Sequence, residues 1–341
     1  MAIEIIATGR SIPSKRVTND DLAAIIDTSD EWIRSHTGIG ARHLAEDGLA
    51  SSDFALEAAR NALAAVAERD GVSPEAAAQS LDVIVIGTAT PDYYGVPSTA
   101  CIVQGKLGAV NAAAMDLVAG CTGFIYGLET AAGVLSINKN RKRALVIGVD
   151  LLSRITNWDD RSTCVLFGDG AGAAVIEKTD GPSEGPGKRG LLRTILGADG
   201  TGTESLIMRR GGSRYPYKAG EVIDIPPHLE MDGRAVYNFA VKAVTGTIEK
   251  LMEQEGITMD DVRLIVPHQA NARIVHAAGK RLGIPEEKLF LNIEEYANTS
   301  AASIPIALDE LNRNGTIQRG DLIMTIGFGA GLTYGGNVII W

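Results

Sequence analysis

The chain repeats itself, and this constrains its fold more than any single motif does. "LDVIVIG" (81–87) leads into a helical pattern ending "GKLG" (105–108), and "VRLIVPH" (262–268) leads into one ending "GKRLG" (279–283). "ALVIG", ending at Gly148, is matched by "IMTIG", ending at Gly327. The separations stay close: 179 residues from Asp82 to Asp261, 175 from Gly108 to Gly283 and 179 from Gly148 to Gly327. A period held across several landmarks indicates a duplicated supersecondary unit. On this register Cys121 falls opposite Asn298, 177 residues later.

The repeating unit is legible in its periodicity. Apolar, β-branched runs at 82–89, 143–150, 172–177, 262–268 and 321–327 read as buried strands. Helical patterns at 52–69, 97–107, 122–136, 234–255, 271–282 and 302–313 separate them. Such alternation predicts βαβ units and a mostly parallel sheet. The fold class expected is α/β, with duplicated halves at 1–178 and 191–341 joined by the Gly/Pro-rich loop 179–190. A second irregular stretch is expected at 209–233.

With 45% hydrophobic and 22% charged residues, the 341-residue chain reads as a soluble protein with a sizeable core. Its 32 basic and 42 acidic side chains give a net charge of −10, which argues against nonspecific nucleic-acid binding. "MAIEIIATGRSIP" has no basic region or long apolar run, so no signal peptide is expected. No apolar run is long enough to span a bilayer, so no membrane association is expected. The three cysteines, Cys101, Cys121 and Cys164, read as reduced thiols of a cytoplasmic protein.

Cys121 has the most informative setting. It stands between "AAAMDLVAG" (112–120), which ends a strand, and "TGFIYGLETAAGVL", which starts a helix. A helix N-terminus supplies unpaired N–H groups and partial positive charge, and both favour thiolate. Gly120 and Gly123 permit a tight turn, so the arrangement is similar to a nucleophile elbow with sulfur in place of oxygen. Cys101 and Cys164 read instead as small buried hydrophobes. His268 ends a buried strand, where active-site groups of α/β sheets collect. Asn298 occupies the repeat slot of Cys121, so Cys121, His268 and Asn298 are expected to converge between the halves. Singly, His268 reads equally as a core histidine and Asn298 as a turn residue.

Two glycine-rich strings do not match nucleotide-binding loops, because both run into β-like segments. "FGDGAGAAVIE" (167–177) reads as a tight hairpin crossing. "GFGAGLTYGG" (327–336) follows a strand end, where its backbone N–H groups could serve as oxyanion donors. No spacing of His, Cys and acidic residues suggests a metal site.

Taken together, the chain resembles the β-ketoacyl-(acyl carrier protein) synthase III family of the thiolase superfamily. The resemblance rests on "DTSDEWIRSHTGI" (27–39), "AGCTGF" (119–124), "DRSTCVLFGDGAGAAV" (160–175), "VPHQANARI" (266–274), "NTSAAS" (298–303) and "GFGAGLTYG" (327–335). It implies a thiolase-like layered αβαβα fold and a homodimer. It also implies a decarboxylative condensation in which Cys121 takes an acyl group from acyl-CoA. His268 and Asn298 then promote decarboxylation of malonyl-acyl carrier protein, with no cofactor. The backbone N–H groups of Cys121 and Ala330 match the family's oxyanion hole.

Other positions carry over residue by residue. Trp32 and Arg161 match residues that sandwich the CoA adenine. Thr28, Thr37 and Asn271 match positions near the CoA nucleotide or pantetheine arm, and Tyr237 matches an aromatic lining the tunnel. His36 stands where relatives usually carry arginine, so it weakens a phosphate contact that Arg34 could replace. Phe328 is expected beside the nucleophile. Val96 matches a position reaching into the partner's acyl pocket, which predicts tolerance of primers longer than acetyl. Arg273, Lys280 and Arg281 are expected to dock the acidic carrier protein. Rival readings are a related enzyme joining acyl-CoAs or priming a polyketide, and a Cys-His-Asn thioester hydrolase.

Overall fold

The computed structural model describes residues 1–220, 225 and 227–341. Of the irregular stretch expected at 209–233, residues 221–224 and 226 lie outside the described residues. Glu230–Met231 forms a short strand with Leu206–Ile207, and a helix starts at Gly233.

Two sheets form the frame. The first contains β1 (Ala2–Ser11), β2 (Val83–Gly87), β3 (Ala113–Leu117), β4 (Arg143–Leu151) and β5 (Asp169–Thr179), in the order β1-β5-β4-β2-β3. The second contains β6 (Gly190–Ala198), β7 (Leu264–Pro267), β8 (Leu322–Gly329) and β9 (Thr333–Ile340), in the order β7-β8-β9-β6. The duplication is therefore strand for strand: β2 with β7, β4 with β8, β5 with β9, and β1 with β6. The counterpart of β3 is reduced to one parallel bridge between Ile265 and Leu289. The chain between Thr179 and Gly190 links the sheets.

The sheets are mixed rather than mostly parallel in their pairing. β3, β2 and β4 pair in parallel, but β5 runs antiparallel to both β4 and β1. β9 likewise reverses against β8 and β6. The two glycine strings also exchange the roles expected of them. "DGAGAAVIE" lies within β5, where a Cβ on Gly172 would stand 2.6 Å from the Ile306 backbone nitrogen. Its glycines thus admit a helix to the sheet surface instead of making a hairpin. The hairpin is the second string, which turns from β8 into β9.

Helices make the other three layers. α1 (Asp30–Thr37) lies at the site, and α2 (Ser51–Asp70) and α3 (Thr99–Leu107) cover the outer face of the first sheet. α4 (Gly123–Ile137) and α7 (Ser303–Arg313) lie between the sheets, while α5 (Gly233–Glu255) and α6 (Ala272–Leu282) cover the second. The alternation along each strand explains the continuous apolar runs. Ile84 and Ile86 face the outer helices, whereas Val83 and Val85 face the central pair. In the second sheet, Leu264 and Val266 face the centre and Ile265 faces outward. Strands buried on both faces need apolar residues at every position. Cys164 is buried, but Cys101 is exposed, contrary to the reading of both as buried filler. Cys101 sits on the solvent face of α3, whose Ala100 and Val103 face the core.

Candidate active site

The N-termini of the two central helices meet at the site. Each is preceded by a single 3-10 turn, Gly120–Thr122 before α4 and Ser300–Ala302 before α7. In both turns the first residue has positive φ, 51° at Gly120 and 49° at Ser300. The structural equivalent of Cys121 is therefore Ala301, not Asn298. The sequence register drifts by three residues because the reduced third strand shortens the C-terminal half between its landmarks.

Backbone approaches backbone beneath Cys121. A Cβ on Gly120 would stand 2.8 Å from the Ala330 nitrogen, and one on Gly329 would stand 2.5 Å from the Cys121 nitrogen. Only glycine allows the Cys121 turn to seat on the β8–β9 hairpin this closely. Cys121, His268, Asn298, Phe328 and Ala330 line one cavity of about 270 Å3.

Each polar group is fixed by its surroundings. The His268 backbone N–H donates to the Ile326 carbonyl at 2.7 Å, which ties it to the end of β8. Its Nδ1 lies 2.7 Å from Ser303 Oγ, and Nε2 is buried without a protein partner. Ser303 Oγ accepts the Gln269 N–H at 3.4 Å, which leaves its own proton for Nδ1. This network assigns the ring proton to Nε2, on the cavity side. Burial pushes the His268 pKa down to about 3, so the ring is neutral at ordinary pH. Phe328 meets the imidazole edge-on, with ring centroids 5.4 Å apart.

Asn298 is held by two backbone bonds, from its N–H to Leu166 and to its carbonyl from Gly168, each 3.0 Å. Its Oδ1 accepts the Ser300 N–H at 2.9 Å, so Nδ2 is left as a donor. Burial pushes the Cys121 thiol up to about 12; the Ser300 hydroxyl opposes the rise and Asp150 adds to it. The resting sulfur is therefore protonated.

The cavity extends toward α1, where Trp32, His36, Thr37, Tyr237, Asn271 and Arg273 also line it. Arg161 lies over the Trp32 ring, 4.9 Å from its centroid. His36 stacks on Trp32 at 4.5 Å and holds its carbonyl through Nδ1 at 2.7 Å. Asn271 donates to the His36 carbonyl at 3.1 Å. The Thr37 hydroxyl is engaged within the helix end, donating to the Ile33 carbonyl at 2.6 Å. Thr28 Oγ1 is buried without a partner and does not line the cavity. Arg34 does not take over from His36, because Asp30 and Glu294 hold its guanidinium at 2.9 and 2.6 Å.

The remaining positions lie elsewhere. Val96 is 86% exposed and outside this cavity. Arg273, Lys280 and Arg281 are exposed along α6, with Arg273 at the cavity mouth and Arg281 on a separate groove. The sequence reading missed Asp150, Ser300 and Ser303, although the last two lie in the quoted "NTSAAS" string. It also missed the apolar wall of Leu152, Ile155, Leu206, Leu229 and Met231. No group of metal-binding side chains occurs among the described residues.

Five layers, duplicated halves and a site where their central helices meet define a thiolase-fold condensing enzyme. Residues 115–200 match the family model of 3-oxoacyl-acyl-carrier-protein synthase III, and residues 252–341 match that of its C-terminal part. The β-ketoacyl-acyl-carrier-protein synthase III of Caldanaerobacter subterraneus subsp. tengcongensis is 47% identical, over 100% of this chain and 98% of that protein. The crystal structure of the 3-oxoacyl-acyl-carrier-protein synthase III of Aquifex aeolicus is 39% identical, with a TM-score of 0.87 and full coverage of both chains. A priming β-ketosynthase of a polyketide biosynthetic pathway is 34% identical, with a TM-score of 0.88, covering 99% of this chain and 96% of that one. The chain belongs to the β-ketoacyl-(acyl carrier protein) synthase III family.

Proposed function

We propose that the chain performs its family's reaction through Cys121, His268 and Asn298. The reaction condenses an acyl-CoA primer with malonyl-acyl carrier protein, giving β-ketoacyl-acyl carrier protein, CO2 and free CoA, and initiates fatty acid synthesis. The observation that carries the residue assignment is that one cavity is lined by a thiol from one half and two neutral donors from the other.

Cys121 sulfur attacks the acyl thioester, its proton leaves with CoA, and the acyl group stays on the enzyme. The tetrahedral oxyanion takes the backbone N–H groups of Cys121 and Ala330. Loss of CO2 from the malonyl group then leaves an enolate, whose oxygen takes Nε2–H of His268 and Nδ2 of Asn298. An uncharged imidazole suits this role, since it donates without needing to lose a charge. The enolate carbon attacks the acyl thioester and releases Cys121. Decarboxylation itself supplies the carbanion, so the scheme calls for neither metal nor redox cofactor.

Trp32 and Arg161 are proposed to hold the CoA adenine, with Thr28, His36, Thr37, Asn271 and Tyr237 along the nucleotide and pantetheine path. The exposed row of Arg273, Lys280 and Arg281 is proposed to meet the acidic carrier protein. We further propose a cytoplasmic homodimer in which Val96 borders the partner's acyl pocket and leaves room for primers longer than acetyl. Among the described residues, no helix is long and apolar enough to cross a membrane.

The test is intact-mass analysis after incubation with a panel of acyl-CoAs. The expected result is one acyl adduct on wild type and none on Cys121→Ser. Malonyl-acyl carrier protein should chase the adduct off as β-ketoacyl product. Chase by malonyl-CoA alone would favour an enzyme joining acyl-CoAs, and release of free acid at the condensation rate would favour a hydrolase.

A further inference from the structure

The turn before α7 places a serine where the matching turn before α4 has glycine. Ser300 adopts φ 49°, a left-handed conformation that is costly for a residue with a Cβ. Its backbone N–H is bound by Asn298 Oδ1, which helps hold it there. The unusual backbone directs the hydroxyl under the nucleophile: Ser300 Oγ lies 3.4 Å from Cys121 Sγ. On its other side the hydroxyl also reaches the buried carboxylate of Asp150.

Asp150 ends β4 and is fully buried. Its Oδ1 accepts from the Thr88 hydroxyl at 3.1 Å, the Ala89 N–H at 2.7 Å, and the Thr90 N–H and hydroxyl at 3.1 and 2.9 Å. Oδ2 accepts the Ala301 N–H at 3.2 Å. A carboxyl group receiving this many donors is an acceptor-only carboxylate, and it remains well solvated by protein when Ser300 turns away. The condensation chemistry described above uses neither Ser300 nor Asp150.

Resting on the assignment of Cys121 as nucleophile, we propose that Ser300 is a further catalytic residue that stabilises the Cys121 thiolate through a reorienting hydroxyl. While sulfur is protonated, the hydroxyl donates to Asp150 and its oxygen faces the S–H. Once sulfur is a thiolate, the hydroxyl rotates and donates to it. No proton passes through Ser300; only the direction of one hydrogen bond changes. Asp150 is the positioning residue that holds the hydroxyl in reach. The charged and titratable groups facing the sulfur among the described residues are Asp150, which opposes the thiolate, and the neutral His268. The Ser300 hydroxyl is therefore the side-chain donor to Sγ. In the acyl-enzyme no thiolate is present, so Ser300 acts on acylation and not on the enolate step.

The experiment measures iodoacetamide alkylation of Cys121 against pH in wild type, Ser300→Ala and Ser300→Gly. Both variants lack the hydroxyl, but only glycine relieves the backbone. The alkylation midpoint is expected to move up in both, with the neutral-pH rate lower by roughly 10- to 100-fold, the usual weight of a hydrogen bond to a charged group. Acyl transfer from acyl-CoA should fall in parallel, while condensation from pre-acylated enzyme stays within about twofold. Ser300→Gly should melt no lower than wild type, which separates lost chemistry from lost folding. Alkylation profiles that superimpose on wild type would overturn the proposal, as would equal losses in both half-reactions. Failure of wild type to form an acyl adduct would instead refute the assignment of Cys121, while leaving the alkylation result readable.

Discussion

The turns before α4 and α7 have the same backbone and opposite chemistry. Each opens on positive φ and leads into a central helix. In the first, glycine fills the left-handed position and cysteine follows, so the chain lies close to Ala330 and exposes a sulfur to the cavity. In the second, serine fills that position and alanine follows, so the turn supplies a hydroxyl and a carboxylate-binding N–H to the first. Duplication provided two equivalent places for a nucleophile, and one became the support of the other.

The most severe way to break this asymmetry is Cys121→Ser, for which acyl-enzyme by intact mass should fall below detection. Next are Asn298→Ala and His268→Ala, each expected to slow condensation by roughly 100- to 1,000-fold, the cost of losing one oxyanion-type donor. Acylation from acyl-CoA should change far less, and single-turnover kinetics would separate the two steps. Gly120→Ala probes the backbone itself, because it puts a Cβ into a left-handed position and against Ala330. Urea unfolding should show a loss of about 1–3 kcal/mol, whereas the matching Ser300→Gly should show none.

A gentler contrast comes from pH. The His268 pKa is about 3 in the folded chain, below its ordinary value of about 6.5 in the unfolded one. Below the ordinary value the unfolded state binds the extra proton, so stability falls as pH drops from about 6.5 toward 3, by up to about 1.4 kcal/mol per unit. His268→Gln should flatten that part of the stability curve. The smallest effect is expected at the surface. Arg273→Glu should raise the KM for carrier protein by roughly threefold to tenfold, less at high salt, and leave acyl-CoA kinetics unchanged.

The sequence carried most of the layered frame, because double burial writes itself as apolar runs such as "DVIVIG" and "RALVIGVD". It was less informative where backbone geometry decides. The pairing direction of β5 and β9 depends on how each connection returns, which periodicity does not encode. The match of Cys121 to Asn298 failed because an offset counted in residues cannot see a strand reduced to a single bridge at Leu289. Asp150 passed unnoticed as the last letter of a strand, since burial of its carboxylate is decided by Thr88, Thr90 and Ala301 from distant segments. Arg34 read as a spare cation for the same reason: its partner Glu294 lies 260 residues away.

The reduced strand has a consequence for assembly. β1 and β6, the outer strands at one side of each sheet, lie against one another, and the Leu289 segment covers the open side of β7. That leaves β3 as the uncovered border of the two core sheets, with Met115 and the neighbouring Val118 exposed at 37% and 80%. A filament requires two joining faces per subunit, whereas a molecule with one such border is used up by a single partner. Joining along Ala113–Leu117 would therefore stop at a pair, and the strand that the C-terminal half lacks would be what keeps this protein from polymerising.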